Sequence, residues 1–118
     1  MIASKIIEKA MKLLGYDILQ KTGSVTDIDE NVITAINTVY ADLYYLINKD
    51  GFNEITTAQE NINLPEKALN DIMPYGVASF MASFQGDSDN QQFFSTIYNL
   101  KRKGFVKDES AQDAIPTV

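Results

Sequence analysis

Apolar residues return every three or four positions along most of the chain, which is the period of a helix with one buried face. Ile2, Ile6, Ala10 and Leu13 form one line, with Ile7, Met11 and Leu14 beside it, while Lys5, Glu8, Lys9 and Lys12 fall opposite. This spacing predicts a first amphipathic helix over 2–14, stopped by Gly15. The stretch from Tyr16 to Val25 reads as a connecting loop, and Thr26 or Asp27 then caps a second helix. Asp27 with Glu30 fits a capping box, and Asp29 adds first-turn charge of the sign the helix dipole favours. The second helix runs to about Asn48, with Val32, Ile36, Val39, Leu43 and Ile47 as its main stripe. Ile33, Tyr40, Tyr44 and Leu46 widen that stripe until much of the girth is apolar. Two readings stay open: a core helix contacted from two sides, or a helix whose tyrosine face meets another subunit. Tyrosine suits the second because it adds contact area while keeping a polar tip.

Asp50-Gly51 is a turn signal, and the residues from 52 to 63 have no helical period. Ile55, Thr57, Ile62 and Leu64 with polar spacers predict a short extended or hairpin segment, in a loop long enough to be an interaction loop. Pro65 and Glu66 then open a third helix. Leu69, Ile72, Met73, Val77, Phe80, Met81 and Phe84 carry its period, and Pro74 inside it predicts a kink or one-residue break at 73–75. Gly76, Ala78, Ser79, Ala82 and Ser83 make this helix thin on several sides, which suits a central position. Gly86 ends it. Ser88 with Gln91 forms a capping-box pattern, with Asp87 as the alternative cap, and a further helix follows to about Lys103. Phe93, Phe94, Ile97, Tyr98 and Leu100 share an arc of about 160° on it. Lys101 falls inside that apolar arc, on the rim or facing a partner. Gly104 is expected to close the element.

The remainder, FVKDESAQDAIPTV, is polar, with Val106, Ile115 and Val118 as its last apolar residues. It cannot build a core and is expected to fray unless its own domain or a partner holds it. The expected architecture is an all-α bundle of four to five helices over 1–104, with a Pro-kinked third helix, and an extended C-terminal tail over 105–118.

At 118 residues the chain is one domain and large enough to bury a core without staples. It has no cysteine and no histidine. That removes disulfides, thiolate metal sites, the commonest general base and the usual switch near neutral pH. A net charge of −6 argues against a nucleic-acid binder held by phosphate neutralisation. No apolar run approaches the ~20 residues of a membrane span. The N-terminal pattern mixes lysine and glutamate as a helix does and a signal peptide does not, so a cytosolic protein is the simplest expectation.

Candidate chemistry is thin. Asp87 and Asp89, like Asp27, Asp29 and Glu30, are explained by capping and lack the further ligands of a calcium loop. Ser79 and Ser83 have no histidine to activate them. The Lys101-Arg102-Lys103 cluster is a candidate phosphate contact, although its place in a last helical turn, complementing the dipole, is the favoured explanation. No enzyme, cofactor or metal is expected.

One stretch resembles a known family. Leu64-Pro65, Pro74-Tyr75-Gly76-Val77-Ala78, Gly86-Asp87, Phe93/Phe94, and Tyr98-Asn99 followed by Lys101-Arg102 resemble the head–tail connector (adaptor, or head-completion) proteins of tailed bacteriophages. So does the phrase Ala35-Ile36-Asn37-Thr38-Val39-Tyr40-Ala41-Asp42-Leu43 in the second helix. The resemblance covers about residues 2–104. It implies a helical, non-catalytic virion protein assembled in the host cytoplasm. Such a protein forms a homo-oligomeric ring, commonly of about twelve copies, closed by side-to-side contacts under the portal protein. The ring extends the DNA channel and docks a stopper or tail-completion protein, and an acidic lumen would pass DNA without holding it. Candidate subunit or portal contacts are then Tyr40, Tyr44, Tyr75, Lys101, Arg102, Lys103, Phe105, Val106, Ile115 and Val118. A head–tail stopper, or another small phage-derived helical module for packaging or regulation, is the alternative.

Overall fold

A computed structural model describes residues 1–15 and 30–114, with the backbone alone over 107–114. The fold is all-α, with four α-helices among the described residues: α1 (Ala3–Leu14), α2 (Glu30–Ile47), α3 (Met73–Phe84) and α4 (Ser88–Ala114). A π turn at Ala68–Ile72 leads directly into α3. The expected loop at 16–25, the caps Thr26 and Asp27, and the tail residues Ile115 and Val118 lie outside the described residues.

Helix α3 is the hub and packs on α1, α2 and α4. Its small residues explain how. A methyl group added at Gly76 would stand 2.9 Å from the Tyr98 ring and 3.1 Å from Val39 Cγ1. So α2 and α4 both close onto α3 at the one position without a side chain. Ala78 and Ala82 are also fully buried, alongside Met73 and Val77. The core is completed by Ile6, Ile7 and Ala10 from α1 and by Ile36, Val39 and Leu43 from α2.

No break occurs at 73–75. The backbone is helical throughout 66–84, and Met73 keeps helical angles of φ −57°, ψ −41°. The irregularity lies one turn earlier. The Met73 N–H donates to the Ala68 carbonyl, five residues back, and Ile72 takes up the extra residue at φ −114°, ψ −56°. Widening the ladder there leaves Pro74 at the start of α3, where a missing N–H costs least.

Gly86 does stop α3, at φ 72°, with the Asp87 amide donating to the Ala82 carbonyl at 3.0 Å. Gly104 does not stop α4, which continues ten residues further to Ala114. The expected boundary at 104 is therefore a correction: 105–114 extends the helix. The next residue supplies the reason. Phe105 is 2% exposed, and burying its ring stabilises by about 1.5–3 kcal/mol. A helical glycine costs only about 1 kcal/mol.

The 52–63 segment is irregular, with bends and a turn over 56–60 in place of the expected extended course, but it is not loose. Ile2 and Asn61 form an isolated antiparallel bridge, and the Ile62 amide donates to the Met1 carbonyl at 2.9 Å. Helix α1 has no side-chain cap. Its first amides, on Ala3 and Ser4, instead donate to the carbonyls of Glu60 and Ala58 at 2.9 and 2.8 Å. A distant loop thus satisfies donors that every helix start leaves open. Asn37 on α2 fastens the other side, giving its Nδ2 to the Ile55 carbonyl and accepting the Ile55 amide, both at 2.9 Å.

Candidate functional site

The sequence-predicted surface residues divide into those used inside the chain and those left outside. Tyr40 and Tyr44 are inside. Both are buried, stack edge-on with ring centres 6.1 Å apart, and enclose Phe52. Tyr40 accepts the Asn63 amide at 3.0 Å, and Tyr44 donates to the Asp50 carbonyl at 3.0 Å. Two of the three expected interface tyrosines therefore anchor the 48–63 segment, the third, Tyr75, is half-buried, and it is Tyr45 that stands 53% exposed. Phe105 is likewise inside the core, and Val106 is half-buried.

Two of the three clustered cations are also engaged. The turn from Tyr98 to Arg102 on α4 brings both residues to Asp42, which projects from the middle of α2. Arg102 holds the carboxylate in a fork, Nε to Oδ2 at 2.7 Å and Nη2 to Oδ1 at 2.9 Å, while the Tyr98 hydroxyl donates to Oδ2 at 2.6 Å. Partial burial pushes the Asp42 carboxyl up. The hydrogen bonds from Arg102 and Tyr98, with the guanidinium charge, outweigh this and hold it below the usual carboxylate range. Burial, then the adjacent carboxylate, push the Tyr98 phenol far up, and its bonds to Asp42 push Arg102 up as well. Lys101 pairs with Asp71 at 2.8 Å, and its ammonium stands 5.0 Å from the centre of the Tyr75 ring. Lys103 is exposed.

Asp42 had no role in the sequence reading beyond its place in a phrase. The available signal was the one charged residue of the helix beyond its first turn. Asn37 was missed in the same way. Together with Gly76, these quoted residues form the joints of the scaffold: Asn37 fastens the loop, Gly76 admits Tyr98, and Asp42 locks α4 to α2.

The cap of α4 is Asp87. Its Oδ1 accepts the Asn90 amide at 3.2 Å and its Oδ2 the Asn90 side-chain amide at 2.7 Å. Ser88 is exposed inside the first turn, so the capping-box alternative is corrected.

What remains outside is apolar. On α4, Phe93 is 57% and Leu100 65% exposed, with half-buried Ile97 between them on the same face. Phe84, at the end of α3, is 48% exposed. Two shallow grooves flank α3. One, of about 280 Å³, is lined by uncharged residues including Val39, Ser79, Phe80 and Tyr98. The other, of about 270 Å³, lies between α1 and α3 and is lined by Lys9, Lys12, Leu13, Asn70, Pro74 and Tyr75. Ser79 donates its hydroxyl to the Gln91 carbonyl at 3.2 Å, a tie between α3 and α4. Among the described residues no three acidic side chains gather as a metal site, and no helix is long and apolar enough to cross a membrane. The surface offers contact area and charge. No family model matches the chain, and no curated protein or solved structure is similar to it at a significant level.

Proposed function

We propose that this chain is a structural assembly subunit that forms a homo-oligomeric ring of the head–tail connector kind. In that role it would sit beneath a portal, extend a DNA channel and dock a stopper or tail protein. The observation that carries this reading is the uncovered apolar face of α4. Phe93 and Leu100 stand seven residues apart, two turns along one side, each more than half exposed, and Phe84 is nearly half exposed at the preceding helix end. Leaving such large side chains in water forfeits about 1.5–3 kcal/mol each relative to burial. Clustered exposed apolar side chains are characteristic of surfaces that meet another protein. The likeness of the Pro74–Ala78 and Tyr98–Arg102 phrases to connectors supplies the identity of the assembly. The net charge of −6 is compatible with a channel that does not retain DNA.

Light scattering and negative-stain imaging of the full chain test the reading, alone and with the portal protein of its own genome. A single discrete oligomer with rotational symmetry is expected. Monomers under both conditions would overturn it.

A further inference from the structure

We propose that the groove between α1 and α3 receives the acidic end of α4 from a second copy of this chain. The proposal rests on the ring reading and deepens it by naming the two surfaces that meet. The groove has an apolar floor of Leu13, Pro74 and Tyr75 and a cationic rim of Lys9 and Lys12. These lysines stand three residues apart on one side of α1, and neither has an ion-pair partner among the described residues. Lys101 adds a third ammonium over the Tyr75 ring. Asp71, bound to Lys101, and half-buried Glu8 are the nearby acids. In a chain of net charge −6, Lys9 and Lys12 form a cationic pair with no ion-pair partner among the described residues.

The complement stands at the C-terminal end of α4. The last two turns of α4, residues 107–114, carry Asp108, Glu109 and Asp113 against the single Lys107. Glu109 and Asp113 are four residues apart and share one face of the helix. Lys101 already lies beside Asp71, and at 1.5 Å per residue Asp108 and Asp113 stand about 10 and 18 Å further along an unbroken helix. The backbone of α4 carries positions 108 and 113 past Lys101, and a neighbouring copy supplies the groove that they enter. The contact joins two different surfaces, so it is heterologous: it repeats from copy to copy and closes when the rotation between neighbours allows. Opposed charge on such surfaces fixes the register and excludes the reverse docking.

The test is a charge exchange in the full chain, with folding of each variant checked by circular dichroism. Lys9→Glu/Lys12→Glu makes the groove acidic. Asp108→Lys/Glu109→Lys/Asp113→Lys makes the helix end basic. Sedimentation velocity is expected to show each variant alone self-associating at least about tenfold more weakly than the parent. A 1:1 mixture should associate again, because each variant retains the surface that fits the other. Salt at 0.5 M, a concentration that shortens the screening length to a few ångströms, is expected to weaken the parent assembly. Parent-like assembly of both variants would overturn the proposal and leave the ring reading standing. Weakened variants that do not rescue each other would overturn the pairing of these two surfaces. A parent chain that stays monomeric at every concentration and salt, with its portal present, would overturn the ring reading itself.

Discussion

Asp42 and Arg102 are sixty residues apart in sequence and meet through two hydrogen bonds of 2.7 and 2.9 Å. Their fork ties the middle of α2 to α4 outside the apolar core. Both side chains are about one-third exposed, so solvent screens the pair. Arg102→Ala is expected to lower stability by about 1 kcal/mol, and a double-mutant cycle with Asp42→Asn should show a coupling of similar size. Arg102→Lys keeps the charge but loses the fork, and should recover little of it. Urea unfolding measures all three.

The same node makes stability depend on pH at both extremes. The Asp42 carboxyl is held below its unfolded value. Its contribution is complete above that unfolded value, near 3.9, and is lost as the pH falls through the lower folded one. The Tyr98 phenol is held above its unfolded value. Its contribution is complete below about pH 10 and declines as the unfolded chain begins to ionise. Urea midpoints of the parent should therefore fall below about pH 4 and above about pH 10, and Tyr98→Phe should flatten the alkaline limb.

Alanine at two helical glycines should act in opposite directions. At Gly76 the new methyl would meet the Tyr98 ring at 2.9 Å, which is overpacking worth about 1–3 kcal/mol of destabilisation. At Gly104 nothing lies within 4 Å, so alanine only improves helix propensity and should stabilise by up to about 1 kcal/mol. Thermal unfolding of the two variants checks the pair of signs.

Asp87→Ala is expected to cost about 1 kcal/mol, because the Asn90 amide loses its cap. Ser88→Ala, inside the exposed first turn, should be near neutral. Equal effects of the two, measured by urea unfolding, would show that the cap is misplaced by a residue.

Asn37→Leu removes both bonds to Ile55 and leaves a partly buried amide and carbonyl unpaired, at about 1–3 kcal/mol. Loosening the loop at Ile55 should also release its far side. Hydrogen exchange at the Ala3 and Ser4 amides, which the loop carbonyls hold, should rise more than exchange in α4.

Much of this was legible in one dimension. The helices of 2–14 and of the second, third and fourth apolar patterns follow from a 3.6-residue period that any single segment displays. Gly15 and Gly86 stop their helices because the left-handed angles they adopt, φ 81° and 72°, suit glycine locally. Those properties belong to short windows of chain. Gly104 is the instructive failure: its local signal is the same as theirs, but a buried Phe105 beyond it draws the helix on. The π turn before Pro74 was illegible for a similar reason, since whether a proline breaks a helix or displaces an irregularity depends on what must stay packed around it.

The sequence by itself determined the class of the fold, the thinness of its central helix and the absence of histidine and cysteine chemistry, because periodicity and composition need no partner to be read. The tertiary structure alone decided which tyrosines turn inward, which cations find acids, and that Asn37, Asp42 and Gly76 are joints. The joints and the cation pairs depend on pairings across eighteen to sixty residues, and no local pattern encodes which distant residue will arrive.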